Sequence, residues 1–236
     1  MLGNPSPPRQ NAVTPRAALL CLLLTPVSVY WQIQMETVRN STHPSALALP
    51  FHVVFILLFL SGANRLWARV SPRIALTQGE LLLTYLVLAI SSAVAGIDML
   101  QVMIPAITYG FAHALANGWD ATITPLLPPS LTIADPAVYE RYYLGYGSVW
   151  EPAIFAAWLP VVCRWTVFVS LLMWVMLCLN AVIRRAWTES EHLTFPMVQL
   201  PLKITEPETW SRAGLFGSGL FGRGLWSPPC RICSTR

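Results

Sequence analysis

The sequence predicts an all-α fold: a polytopic transmembrane helix bundle of about four spans plus one re-entrant or surface helix. Three observations predict it. Hydrophobic residues fill 55% of the 236 positions and charged residues 11%, against roughly 25% charged in a soluble domain. Too few charges remain to clothe a globule of this size. The apolar residues come in blocks close to the ~20 residues that cross a bilayer. Arginines gather at the ends of those blocks, the pattern that sets membrane orientation. The net charge of +4 is therefore assigned to orientation, and a nucleic-acid partner is set aside.

The elements follow in order. Residues 1–15, rich in Pro, Asn and Ser, read as a disordered cytoplasmic tail. Span one covers 16–34. The apolar run 17–29 behind Arg9 and Arg16 has signal-peptide character, but no small-x-small cleavage site follows it. Tyr30 and Trp31 suit an interfacial belt, so an uncleaved span is expected. Span two covers 48–66 and span three 76–97. A second apolar piece, 99–115, follows almost at once, and charge decides its reading. Arg9 and Arg16 precede span one, Arg65, Arg69 and Arg73 follow span two, and Arg184 and Arg185 follow the last span, 159–183. With all three clusters on the cytoplasmic side, the chain crosses four times. Residues 98–158 then lie outside, with Asp98, Asp120, Asp135, Glu140 and Glu151 against Arg141. The piece 99–115 becomes re-entrant or surface-lying, since non-helical backbone survives at membrane depth only when buried in protein or lining a cavity. Within the outer region, Asp135 ahead of Pro136 predicts a capped, short amphipathic helix on the outer surface. Residues 188–192 form a polar turn, and 193–202 are too short and too broken by proline to span. Residues 206–236 read as an irregular tail whose text after Leu215 fits a frame-shifted reading frame.

Span three carries the most chemistry. Glu80, Thr84, Val87, Ser91, Ala95 and Asp98 step by four or three and share one helical face. Intramembrane acids are costly and face a bundle interior or a watery cavity, which suggests a stripe that handles protons or substrate. The structural alternative places Glu80 and Asp98 near headgroups, with Thr84 and Ser91 easing close helix packing. Span one repeats the theme with Thr25, Ser28, Gln32 and Glu36 beside Pro26. Arg164, next to Trp165, either snorkels to the interface, pairs with Asp98 or Glu80, or attracts an anionic substrate. Pro196 and Pro201, with Gln199 between them, make a broken segment of the kind that presents backbone groups to substrates, or an ordinary loop. With Gln101 added, the candidate polar pathway is Glu80, Thr84, Ser91, Asp98, Gln101, Arg164, Pro196 and Gln199.

His43, His52, His113 and His192 show no metal-ligand spacing, and the Cys230-x-x-Cys233 pair lacks a second pair. No metal and no cofactor are expected. Without a phosphate-binding glycine loop, nucleophile elbow or HExxH, no catalytic residue is assigned and no enzyme is expected. Asn40-Ser41-Thr42 fits a glycosylation sequon.

Three stretches carry a resemblance: YWQIQMETVR at 30–39, ALTQGELLLTYLVLAISSAVAGIDMLQVMIP at 75–105, and EHLTFPMVQLPL at 191–202. Together, over residues 16–205, they resemble a family of large bacterial polytopic membrane proteins of unknown function, distantly similar to the oligopeptide transporters. The resemblance implies a many-helix bundle with a transport role. It also implies that this chain is an N-terminal fragment, because family members continue with further spans. The expected function is thus part of a secondary-transporter-like protein, the alternative a non-transporting scaffold or assembly subunit. Expected partners are the lipid bilayer, a small-molecule or peptide substrate, and further copies of the chain in a homo-oligomer. The expected location is the inner (plasma) membrane, multi-pass, with the N-terminus cytoplasmic.

Overall fold

The computed structural model describes residues 13–47, 49–71, 75–185 and 196–206. Among these the chain is helical, without a strand. Four stretches are long and apolar enough to cross a membrane: Pro15–Val38, Phe51–Val70, Gln78–Ala112 and Pro152–Arg184. The described residues fall into two compact units, the first within 1–98 and 195–236, the second within 99–194.

In the first unit, α1 (Pro15–Ile33) starts where Thr14 accepts the Ala17 N–H at 3.2 Å, with Pro15 in the first turn. It widens at its end into a π-helical turn, Gln34–Val38. Helix α2 (Phe51–Val70) starts behind Pro50 and stops at Ser71, which is extended, as the residue before a proline tends to be. Helix α3 (Gln78–Ala95) starts from a capping box, in which Thr77 and Glu80 satisfy each other's backbone N–H groups.

The hydrogen bonds fix how these helices run. Residues 14, 21 and 32 of the first segment meet 80, 84 and 92 of the second, in the same order. Helices α1 and α3 are therefore parallel. Helix α2 runs the other way beside them. Its start meets Trp31, through His52 and Phe55. Its end meets the start of α3, where the Asn64 amide donates to the Leu76 carbonyl at 2.9 Å and accepts the Leu76 N–H at 2.7 Å. Arg16, Arg65 and Arg69 thus gather at one end of this unit. Leu57 and Leu81 pack there with Ile204 of α8 (Pro196–Thr205).

In the second unit, α4 (Leu100–Ala112) leads into the single turn α5 (Ala114–Asn117), which ends at Gly118 with φ 69°. Helix α6 (Pro136–Leu144) has the expected cap, Asp135 accepting the Ala137 N–H at 3.0 Å, and stops at Gly145 with φ 73°. Both glycines supply the left-handed conformation that closes a helix. Ile107, Ile133, Val138 and Val161 form the buried core. Helix α7 (Pro152–Arg185) has 34 residues, and an 18-residue apolar window within it holds no buried residue. Such a surface suits lipid.

Several boundaries differ from the sequence reading. Helix α2 includes Arg65 and Arg69, expected beyond its end, because Leu, Ala and Arg keep forming helix after the oily block stops. Helix α7 starts at Pro152 rather than 159, because Pro152 fits a helix's first turn and Ala153–Trp158 continues it. The expected piece 99–115 is α4 plus α5. With 13 residues, α4 spans about 20 Å, short of the ~30 Å hydrocarbon core. The segment expected to be broken by proline is one continuous helix, α8, through Pro201. Arg9, Arg73, the turn 188–192, the tail beyond 206 and Cys230 with Cys233 lie outside the described residues.

Candidate functional site

A row of buried polar side chains runs the length of the α1–α3 interface. At the arginine end, the Glu80 carboxylate accepts the Thr14 hydroxyl, the Thr77 N–H at 2.8 Å and the Thr77 hydroxyl at 3.2 Å. One turn along, Thr84 donates to the Glu80 carbonyl at 2.8 Å and accepts the Cys21 thiol at 3.8 Å. Ser28 and Ser92 follow, each 1% exposed. At the far end, Gln32 donates from Nε2 to the Ser92 carbonyl at 3.0 Å and to Glu36 Oε2 at 3.1 Å. The other Glu36 oxygen accepts the Ser45 N–H at 2.8 Å. Ser45 is seated against Gly96, where an added Cβ would lie 2.4 Å from the Ser45 Cβ.

Local structure puts these groups there. Ser28 and Gln32 on α1 and Glu36 on the turn that continues it recur every four residues, as do Glu80, Thr84 and Ser92 on α3 with Leu88 between. The π-helical turn carries Glu36, and such turns recur at functional sites. Gln32 is 0%, Glu36 1% and Glu80 5% exposed. Burial of acids this deep is costly unless they are hydrogen-bonded, and both accept several donors. His52 is also 0% exposed. It sits edge-on to Trp31 at 6.2 Å and to Phe51 at 6.0 Å, within electrostatic reach of Glu36.

Of the residues expected from sequence, Glu80 and Thr84 lie in this row. Ser91 is half-buried and donates to the Leu88 carbonyl of its own helix at 2.9 Å; Ser92 takes the interface position. Asp98 is exposed beyond the end of α3. Gln101 lies on α4 and Arg164 on α7, both in the second unit. Arg164 donates to the Ser130 carbonyl at 2.7 Å and Trp165 to the Leu131 carbonyl at 3.0 Å, so the pair straps α7 to the preceding loop. Pro196 opens α8, and Gln199 is exposed on it.

Ser28, Gln32 and Glu36 were legible as a polar face of span one, which reads either as a kinked, cavity-lining helix or as a kink satisfied by neighbouring helices, but they are not among the eight pathway residues. Ser92 and His52 were missed. The signal for His52 was an ionisable residue within the first turns of an apolar block. For Ser92 the signal was the exact four-residue step from Glu80. Among the described residues no group of three or more His, Cys, Asp or Glu is placed to hold a metal.

No curated protein and no solved structure matches the chain. Residues 7–229 match a family described as a family of unknown function, reaching past the 16–205 over which the resemblance was read. Covering nearly all of the sequence, that match places this protein in the family of unknown function DUF6785.

Proposed function

We propose that this chain is part of a secondary-transporter-like membrane protein in which a small polar substrate of the peptide class is handled along the α1–α3 interface. One observation carries the reading: two buried carboxylates, Glu36 and Glu80, stand at opposite ends of two parallel membrane helices, with Thr84, Ser28, Ser92 and Gln32 between them. Membrane helices associate through small residues and close packing without needing acids. Each buried carboxylate carries a desolvation cost of several kcal/mol, and such groups mark ion and substrate paths. The peptide class follows from the resemblance to oligopeptide transporters. The arginine distribution supports a cytoplasmic N-terminus in the inner (plasma) membrane.

A second reading, a non-transporting scaffold or assembly subunit, is favoured by one observation. Glu80 is already engaged by the capping box of α3 and by Thr14, which is a structural task.

The test is uptake of labelled di- and tripeptides by the full chain in proteoliposomes. Glu36→Gln and Glu80→Gln are expected to lower uptake by about tenfold or more, since charge-assisted hydrogen bonds contribute roughly 1.5–3 kcal/mol. Uptake unchanged in both variants removes the row from the mechanism. Cysteine placed at Thr84 and Ser92, in a background without other cysteines, is expected to react with a membrane-impermeant thiol reagent. Full protection at both positions favours the scaffold.

A further inference from the structure

Three buried oxygens near the π-helical end of α1 have no hydrogen-bond partner among the described residues: Ser28 Oγ, Gln32 Oε1 and Ser92 Oγ. All three residues are at most 1% exposed. An unmade bond of this kind leaves the desolvation cost of the group uncompensated, so several together point to a guest that supplies the missing partner.

Their residues are neighbours. Ser28 and Gln32 are one turn apart on a single face of α1, which sets their Cβ atoms about 5–6 Å apart. Gln32 reaches across to the Ser92 carbonyl at 3.0 Å, which places Ser92 beside it across the helix interface. The Gln32 amide nitrogen is used twice, on Ser92 and on Glu36, so the amide oxygen is the end left over. Glu36, one turn further, supplies a carboxylate.

The donor set decides the class of guest. Two hydroxyls, an amide oxygen and a carboxylate are hard oxygen donors, which suit hard cations rather than soft ones. Dedicated divalent sites commonly gather several carboxylates, whereas this set has one. We propose that Ser28, Gln32 and Ser92, with the Glu36 carboxylate, form a binding site for a monovalent cation of the sodium class. Coupling ions in transporters sit near unwound or altered helix ends, and the π-helical turn is such an end. The site deepens the transport reading by naming its coupling ion. It rests on that reading for the coupling role alone, because binding is measured without transport.

The full chain is purified in detergent at about pH 8, above the ordinary imidazole range. Radiolabelled sodium binding and thermal unfolding are measured in NaCl against choline chloride at constant ionic strength. The expected result is saturable sodium binding with a raised unfolding midpoint. Ser28→Ala and Ser92→Ala are expected to weaken affinity by roughly tenfold or more, while Ser41→Ala, at an exposed position, keeps it. Absence of saturable sodium binding by the unaltered chain overturns the site, whether or not the variants fold. Undiminished binding by a folded double variant overturns it equally. Sodium binding without peptide uptake leaves the site standing and sinks the transport reading; peptide uptake without sodium binding does the reverse.

Discussion

Gly96 is where a single absent methyl group holds the site in shape. An added Cβ would lie 2.4 Å from the Ser45 Cβ and 2.6 Å from its Oγ. Ser45 in turn gives its N–H to Glu36. Gly96→Ala is expected to cost about 1–3 kcal/mol, as overpacking does, read as a lower unfolding midpoint in detergent. Gly110→Ala is the control. There the nearest atom, at 2.5 Å, is the Leu127 Cδ1 at the tip of a flexible side chain, so a smaller loss is expected. Equal losses at the two positions would contradict the role given to Ser45. At this scale the sequence exposes ionisable groups in apolar blocks, which is how Glu80 stood out. It does not choose between Ser91 and Ser92, since successive helix residues differ by about 100° and only a partner helix defines the buried direction.

At the scale of elements, the starts are well marked. Asp135 with Pro136 and Thr14 with Pro15 cap helices as their residue types require. The Thr77-x-x-Glu80 spacing also marks a capping box, though the intramembrane position of Glu80 invites a transport role first. Thr77→Ala is expected to lower stability by about 1 kcal/mol, with Thr77→Ser close to the unaltered protein, both by thermal unfolding in detergent. An alanine variant as stable as the parent would show that the box contributes nothing to α3. Helix ends are marked less well. Apolar composition gives the stretch that prefers lipid, whereas the helix continues until a residue such as Ser71, Gly118 or Gly145 stops it. The continuity of α8 through Pro201 is of the same kind: one lost N–H weakens a turn without ending it.

For the whole molecule, large apolar side chains stand exposed along the spans, with Leu22 71%, Phe59 72% and Trp174 67% accessible. The purified chain is therefore expected to aggregate in buffer without detergent. Arginines at one end of the first unit match the charge asymmetry that orients membrane proteins. Tags placed after Arg69 and at Tyr142 are expected to report opposite compartments in a protease-protection assay; the same compartment for both would refute the four-crossing topology. The membrane class, the helical content and the capped start of α6 were settled by the sequence itself, because hydropathy, charge at block ends and caps are properties of one segment in contact with its solvent. Tertiary structure alone decided that α1 packs directly on α3, that Ser92 and not Ser91 takes the place beside Gln32, and that Arg164 and Gln101 fall in the second unit. Those are properties of two segments in register, and a one-dimensional pattern holds no term for the second.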